Sequence, residues 1–392
     1  MRILHAMPVY APAWQYGGPV LSVSRLCEAL AGKGIAVEVI TTNAGLSDLP
    51  LSELGRPIMR NGVPVTYYPV DHATGPIQSR RLVQSLSRVM ARADLLHLSA
   101  IWQPLGIPIQ REAIQQGVPI LHTLRGALGP YSLGQRWWKK LPYFLVRERP
   151  YLQQAAGLHV TSEQEANELW PLALRAPRWF LPNPMDLDQL HPNPGLRQQW
   201  RRQLGVHSNH PLLLICGRQH HKKGLDLLPP VLSALRDKPW QLLLLGGDED
   251  GSGQQLIQQL QRRGLGQRVI EHPTVPAAEL GGVYNAADLL LLPSRHENFG
   301  NVVPEALACG CAVAISDRTG VGVDLQRSAP QGFGAVLPRR CRDWIQWLGW
   351  WLEDAPRASL PVSQWVAQHY SQSAVADRAI ELYQQILQTQ QG

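Results

Sequence analysis

The chain has 392 residues, 44% hydrophobic and 17% charged, with a formal charge of +7 and a pI near 9.3. That length exceeds one compact core, so two domains are expected, and the composition excludes a disordered or fibrous protein. The charge suits an anionic ligand or an anionic membrane surface, whereas no recognised motif supports nucleic acid as a partner.

Five scattered cysteines, Cys27, Cys216, Cys309, Cys311 and Cys341, form no C-x-x-C pair and read as reduced thiols. Met1–Pro8 is too short and too soon broken by proline for a signal peptide. No apolar run approaches the roughly 20 residues of a membrane span. The expected location is the cytoplasm, with any membrane contact peripheral, on the cytoplasmic face.

The N-terminal half alternates short apolar runs, Ile3–Met7, Ala36–Thr41, Val63–Tyr68, Leu95–Leu98, Pro119–Thr123 and Leu158–Thr161, with amphipathic stretches such as Leu21–Ala31 and Leu82–Ala93. That alternation predicts a parallel sheet covered on both faces. After the first strand, Gly17-Gly18-Pro19 precedes a helix expected from about Val20. Paired glycines let backbone N–H groups approach a phosphate, although any loop-to-helix turn could use them. His97 and His122 lie on strands, where a satisfied structural histidine is the commoner role. Further on, residues 135–149 interleave Trp137, Trp138, Tyr143 and Phe144 with five Lys and Arg residues. The segment suits a bilayer interface, or a surface helix packing Trp137 and Phe144 into its own domain, and Pro142 weakens a continuous helix.

Residues 181–211, rich in Pro, Asn and Asp, predict the hinge. A second strand series follows: Leu212–Cys216, Gln241–Leu245, Leu289–Leu292, Ala312–Ser316 and Gly334–Leu337. The first of these runs directly into Gly217-Arg218-Gln219-His220-His221-Lys222-Lys223-Gly224. Ligands of open parallel sheets bind beyond the carboxyl ends of strands. There Arg218 offers a planar donor fork and Lys223 a compact ammonium to a departing diphosphate, work otherwise done by a metal. The plainer reading is a solvated basic turn. Asp248-Glu249-Asp250 mimics a D-x-D metal motif but reads as a solvated turn.

In Arg295–Leu307, Glu297 and Glu305 flank a Phe299-Gly300 turn, with Pro304 expected at the first helical position. Backbone N–H groups near Gly300, Asn301 and Val302 suit anionic oxygens. Hydroxyls held at both ends and phosphate between describe a nucleotide sugar. A structural role for Glu305 alone, favouring a helix N-terminus, is worth about 0.3–1 kcal/mol and leaves Glu297 unexplained. The tail from Trp365 to Leu387 has helical spacing, and the Gln-rich 254–263 reads as a solvated helix.

The E-x7-E spacing of Glu297 and Glu305, with the G-R-x-x-x-K-K-G element of Arg218 and Lys223, resembles retaining GT-B glycosyltransferases, in particular family 4. The resemblance implies an α/β GT-B fold, with two Rossmann-like domains facing across a cleft. Residues 1–190 are expected on the acceptor side and 205–365 on the donor side, with 366–392 crossing back to the first domain. It implies that Arg218, Lys223 and the Gly17-Gly18 loop meet the donor diphosphate, that Glu297 holds the hexose and Glu305 the ribose diol, and that base contacts come from His272–Val275.

The expected reaction is a metal-independent, cofactor-free transfer of a hexose to a glycan or lipid-linked acceptor, with retention, in polysaccharide synthesis. Arg125-Gly126 stands where many members carry His-Gly and resembles a subset of exopolysaccharide and lipopolysaccharide hexosyltransferases. Arg125 is then a phosphate or acceptor clamp. The rivals are a non-catalytic nucleotide-sugar-binding subunit, a phosphorylase, or a sugar-nucleotide epimerase. A dinucleotide oxidoreductase is disfavoured, since no G-x-G-x-x-G follows either first strand.

Overall fold

A computed structural model describes residues 1–391 and divides the chain into two compact units. Unit 1 is Met1–Pro184 with the final helix Gln372–Gln391; unit 2 is Met185–Ser371. Gly392, the end of the expected crossing-back segment, lies outside the described residues.

Unit 1 holds strands β1 (Arg2–Val9), β2 (Ala36–Thr42), β3 (Pro57–Arg60), β4 (Val63–Tyr68), β5 (Leu95–Leu98), β6 (Ile120–Thr123), β7 (Gly157–Val160) and β8 (Arg178–Phe180). They form one sheet in the order β3-β4-β2-β1-β5-β6-β7-β8, parallel except for the β3–β4 hairpin. Unit 2 holds β9 (Leu212–Cys216), β10 (Gln241–Leu245), β11 (Val269–His272), β12 (Leu289–Leu292), β13 (Ala312–Ser316) and β14 (Gly334–Leu337), in the all-parallel order β11-β10-β9-β12-β13-β14. Both are doubly wound sheets whose strand order reverses beside the first strand.

Strands buried on both faces need apolar residues at every position, because successive side chains point to opposite sides. In β9, Leu212 and Leu214 join one core cluster while Leu213 and Ile215 join the other. The strands that the sequence reading missed, β3, β8 and β11, sit next to or at sheet edges and carry fewer buried side chains. The β3–β4 hairpin turns through Asn61-Gly62, both at positive φ, the tight-turn pairing that favours such hairpins.

Two expected boundaries shift. Residues 185–190, expected in the first domain, and 191–204, expected between the two, all belong to unit 2. Asn193 caps the helix Pro194–Gln203, and that helix sends Arg197 and Arg201 onto buried Asp288 at 2.6 and 3.0 Å. The tail breaks at Ser371 into Leu360–Tyr370, whose Val362, Trp365 and Tyr370 enter unit 2's core, and Gln372–Gln391. Val375, Ala379, Tyr383 and Ile386 of that last helix pack in unit 1's core with the helix Gly18–Gly32.

Tyr383 completes a buried polar network under the last helix. Register sets His5 beside His97, and Thr123 beside His159. The His97 ring nitrogens lie 2.8 Å from the Tyr383 hydroxyl and 2.8 Å from that of Thr123. His159 Nε2–H donates to the Leu181 carbonyl at 2.8 Å. Burial pushes His5 and His159 down to about 3, and His97 well below its ordinary value, helped by the neighbouring rings. All three are therefore neutral in the fold.

Because the unfolded chain takes up these protons more readily, stability is full above the ordinary histidine range and falls as pH drops from about 6.5 towards 3. At pH 5, His5 and His159 should each cost roughly 2 kcal/mol. Urea unfolding at pH 7.5 and pH 5 measures the loss, and His159→Gln should flatten it.

Candidate active site

The carboxyl ends of β9 and β12, neighbours across the strand-order reversal of unit 2, carry the two loops on which the chemistry converges. Arg295 N–H donates to the Lys222 carbonyl at 2.8 Å. Gly224, at φ +66°, lies so close that a Cβ would come within 2.3 Å of the Pro293 carbonyl oxygen. Arg339 bonds both loops, donating to Pro293 O at 3.0 Å and Gly224 O at 3.2 Å. Its third partner is Asp226 at 2.6 Å, which also holds Arg295 at 2.8 Å. Arg339, Asp226 and Arg295 thus frame the site, and none was marked as functional by the sequence reading. The acid two residues past the Lys-Lys-Gly element was the available signal.

Across this junction Lys223 Nζ donates to Glu297 Oε2 at 2.7 Å, with both side chains about a quarter exposed. Burial alone would raise the Glu297 carboxyl, but the Lys223 ammonium, with Lys222 and His296 behind it, holds it below the ordinary value. Glu297 is also fixed through its backbone, its N–H donating to Arg318 O at 2.8 Å while its carbonyl accepts from Gly320 N–H at 2.9 Å. Gly300 turns the loop at φ +90°, where a Cβ would meet Thr319 Cγ2 at 2.9 Å. Arg218, His220, Lys222, Lys223, Glu249 and Glu297 line one pocket. Gln219, Gly246, His272 and Pro273 line another, at the loop where the resemblance places the nucleobase.

The Asp248–Asp250 turn is not merely solvated. Asp248 accepts from Gly251 and Gln254 N–H, both at 2.9 Å, capping the helix Ser252–Arg262. Glu249 takes Arg218 at 2.7 Å, and Asp250 accepts from the backbone N–H of His221 at 2.8 Å. Hydrogen bonds from the Ser252 hydroxyl, then from His221, hold the Asp250 carboxyl below the usual range. His220, His221 and Asp250 offer ligand atoms within 4.8 Å of one another, the one metal-holding grouping among the described residues. Its donor set is already engaged: Asp250 by His221, and His220 Nδ1 by the Lys222 N–H at 3.2 Å.

Other expected site residues fall elsewhere. The helix runs Val302–Ala308, so Pro304 is its third residue and Glu305 its fourth; proline is tolerated there because first-turn N–H groups lack helical partners. Glu305 is buried and accepts the Tyr284 hydroxyl at 2.8 Å. Phe299 cannot offer its ring to a ligand: it is buried edge-on against Tyr370, centroids 5.7 Å apart. Asn301 and Val302 precede the first helical bond, made by Glu305 N–H to Asn301 O.

In unit 1, Gly17 at φ +82° immediately precedes the helix, which starts at Gly18. Arg125, at φ +50°, donates to Asn183 at 2.9 Å, and burial lowers its guanidinium to about 10. His122 is buried and lowered to about 4, while both His97 nitrogens serve the network under the last helix.

A doubly wound domain with cations and a carboxylate at its strand-order reversal is a nucleotide-binding arrangement. Residues 197–354 match the family described as glycosyl transferases group 1, and residues 17–184 match the glycosyl transferase 4-like domain. The chain belongs to the group 1 glycosyltransferases of the GT-B, family 4 type.

It is 29% identical over 347 residues to the D-inositol 3-phosphate glycosyltransferase of Gordonia bronchialis, covering 82% of this chain and 73% of that protein. Identity to the Nocardia farcinica protein of the same name is also 29%, over 90% of this chain and 81% of that one. Among solved structures, sucrose-phosphate synthase from Thermosynechococcus elongatus superposes with a TM-score of 0.76 at 21% identity, covering 99% and 100% of the two chains. Anabaena Alr3699/HepE in complex with UDP and glucose gives 0.73 at 19% identity, covering 98% and 100%. These two establish the fold.

Removing Arg339 should loosen the frame, since it leaves Asp226 and two carbonyls short of their donor. Arg339→Ala should lose about 2–3 kcal/mol of stability, from the hydrogen bonds to a charged group. Urea denaturation measures this, and a loss under about 0.5 kcal/mol, the range of ordinary surface changes, would show that the loops hold without it.

Proposed function

We propose that the protein moves a hexose from a nucleoside-diphosphate sugar to a glycan or lipid-linked acceptor, with retention and without a divalent cation. One observation carries the reading: the Lys223–Glu297 pair at 2.7 Å, at the strand-order reversal and in the pocket that Arg218 lines. Anabaena HepE, in its solved complexes, holds UDP and UDP-glucose, which favours a nucleotide-sugar donor.

As the bond from the sugar C1 to the diphosphate oxygen breaks, negative charge gathers on the β-phosphate. Lys223 and Arg218 meet that charge with preorganised donors, which count most in a partly dry site. The acceptor hydroxyl attacks from the same face, and its proton passes to the departing phosphate. Glu297, kept ionised by Lys223, accepts hydroxyls of the hexose. Glu305 reads the ribose diol; a carboxylate has about four lone-pair sites, and Tyr284 occupies one of them. The resemblance supports these two roles and the retention.

Lys223→Ala should lower turnover by ~10²–10³-fold, the usual cost of one transition-state donor. Near-normal turnover in a folded variant would remove Lys223 from the chemistry. Glu305→Ala should raise the donor KM strongly with a smaller change in kcat, and an unchanged KM would end the ribose assignment. A thermal-shift panel of UDP, GDP and ADP sugars, with and without EDTA, identifies the donor. Saturation at about 100 times Kd stabilises by roughly 2.7 kcal/mol. A shift that appears only with magnesium would overturn the metal-independent reading.

A further inference from the structure

Residues 136–147 leave unit 1 with a surface that its own fold does not use. Trp137 and Trp138 are each 59% exposed, Leu145 50% and Val146 72%. Single exposed apolar residues are ordinary, but a contiguous group marks an interaction site. The two indole rings meet edge-on, centroids 6.5 Å apart, so the group is continuous at that end.

The inner side of the same segment packs into unit 1. Phe144 is buried, its ring 6.5 Å from that of Trp102, and Glu148 accepts the Trp102 N–H at 3.0 Å. The helix Trp137–Tyr143 contains Pro142 and passes into a π-helical turn, Phe144–Glu148. Proline lacks the N–H that would continue the regular ladder, and widened turns of this kind are associated with functional sites. Within that turn Phe144 and Glu148 point inward while Leu145, Val146 and Arg147 stay outside.

Charge selects the occupant. Arg136, Lys139 and Arg147 are exposed around the apolar group, and Glu148, the one carboxylate between Gln135 and Pro150, is buried. Residues 136–147 thus present apolar and cationic side chains outward and contribute no carboxylate. No helix among the described residues is long and apolar enough to cross a membrane. We propose that this face docks the protein on an anionic lipid bilayer, its indoles at headgroup depth and its cations on lipid phosphates. Such a surface would hold the enzyme where a lipid-linked acceptor resides.

The test is flotation of the full-length protein with vesicles of phosphatidylcholine alone or mixed with phosphatidylglycerol. Partition should be strong only on the mixed vesicles and should weaken in high salt. Each cation near the surface contributes about fivefold in partition, so Lys139→Gln should lower it by about that factor. The triple variant Trp137→Ser, Trp138→Ser, Val146→Ser should abolish it with an unchanged melting temperature, since these side chains are exposed. Trp350→Ser, at an exposed tryptophan in unit 2, should behave as wild type.

Equal binding to neutral vesicles, no binding, or equal loss in Trp350→Ser would overturn the proposal. So would a concentration-dependent dimer in sedimentation that the triple variant dissolves while vesicles bind neither form. Partition is read without donor or turnover, so its failure leaves the transferase reading standing.

Discussion

The close approach of Gly224 to the Pro293 carbonyl is the constraint from which the donor-side geometry follows. Only a residue without Cβ, at positive φ, lets the loops after β9 and β12 touch through their backbones. Once they touch, Lys222 O meets Arg295 N–H, and Lys223 stands opposite Glu297 although 74 positions separate them. Arg339 and Asp226 then close a ring of charge-assisted bonds around the junction. The ion pair is a consequence of that approach. A partly buried ammonium with one carboxylate beside it has donors left for a second anion, which is what a departing diphosphate requires.

The same logic accounts for the acids of the Asp248–Asp250 turn. A basic loop with no counter-charge would repel itself and wander. Glu249 on Arg218 and Asp250 on His221 hold it in place from the end of β10. Arg218 and Glu249 remain largely exposed, so their attraction is screened and contributes little to stability. Its use is geometric, keeping the guanidinium beside the pocket it lines.

Much of this was legible in the chain, for reasons that differ by element. The second-unit strands β9, β10, β12 and β13 were legible at their observed bounds because two-sided burial leaves a continuous apolar signature, and the edge strand β14 because it stays apolar although only partly buried. Edge strands such as β8 and β11 bury less and carry no such signature, and the Asn61-Gly62 hairpin was an available turn signal left unread. That Arg218, Lys223 and Glu297 line one pocket agrees with their residue type and spacing, but the pairing of Lys223 with Glu297 was not legible, because spacing along a chain does not report which loops adjoin. The acids after β10 misled because an acidic turn looks alike whether it is solvated or bonded. The burial of the Phe299 ring was not legible, because a motif position does not say whether the ring or the backbone faces the site.

Net charge, the first clue, proves to be unevenly used. At the amino end of β12, opposite the donor loops, Asp288 draws Arg197 at 2.6 Å, Arg201 at 3.0 Å and Arg357 at 3.6 Å. Those guanidiniums also take the carbonyls of Asn285, Ala286 and Ala287 at the end of the helix Leu280–Ala286, where cations suit the helix dipole. They tie residues 193–201 and the segment before the helix Leu360–Tyr370 to the sheet, and so serve the frame. Such partly buried guanidiniums are spent on fixed carbonyls and a fixed carboxylate. Two groups of cations that stay open to anions are the basic loop after β9 and the exposed Arg136, Lys139 and Arg147 near Trp137 and Trp138. A basic pI therefore narrows the partners only after each cation has been assigned either to the frame or to an open surface.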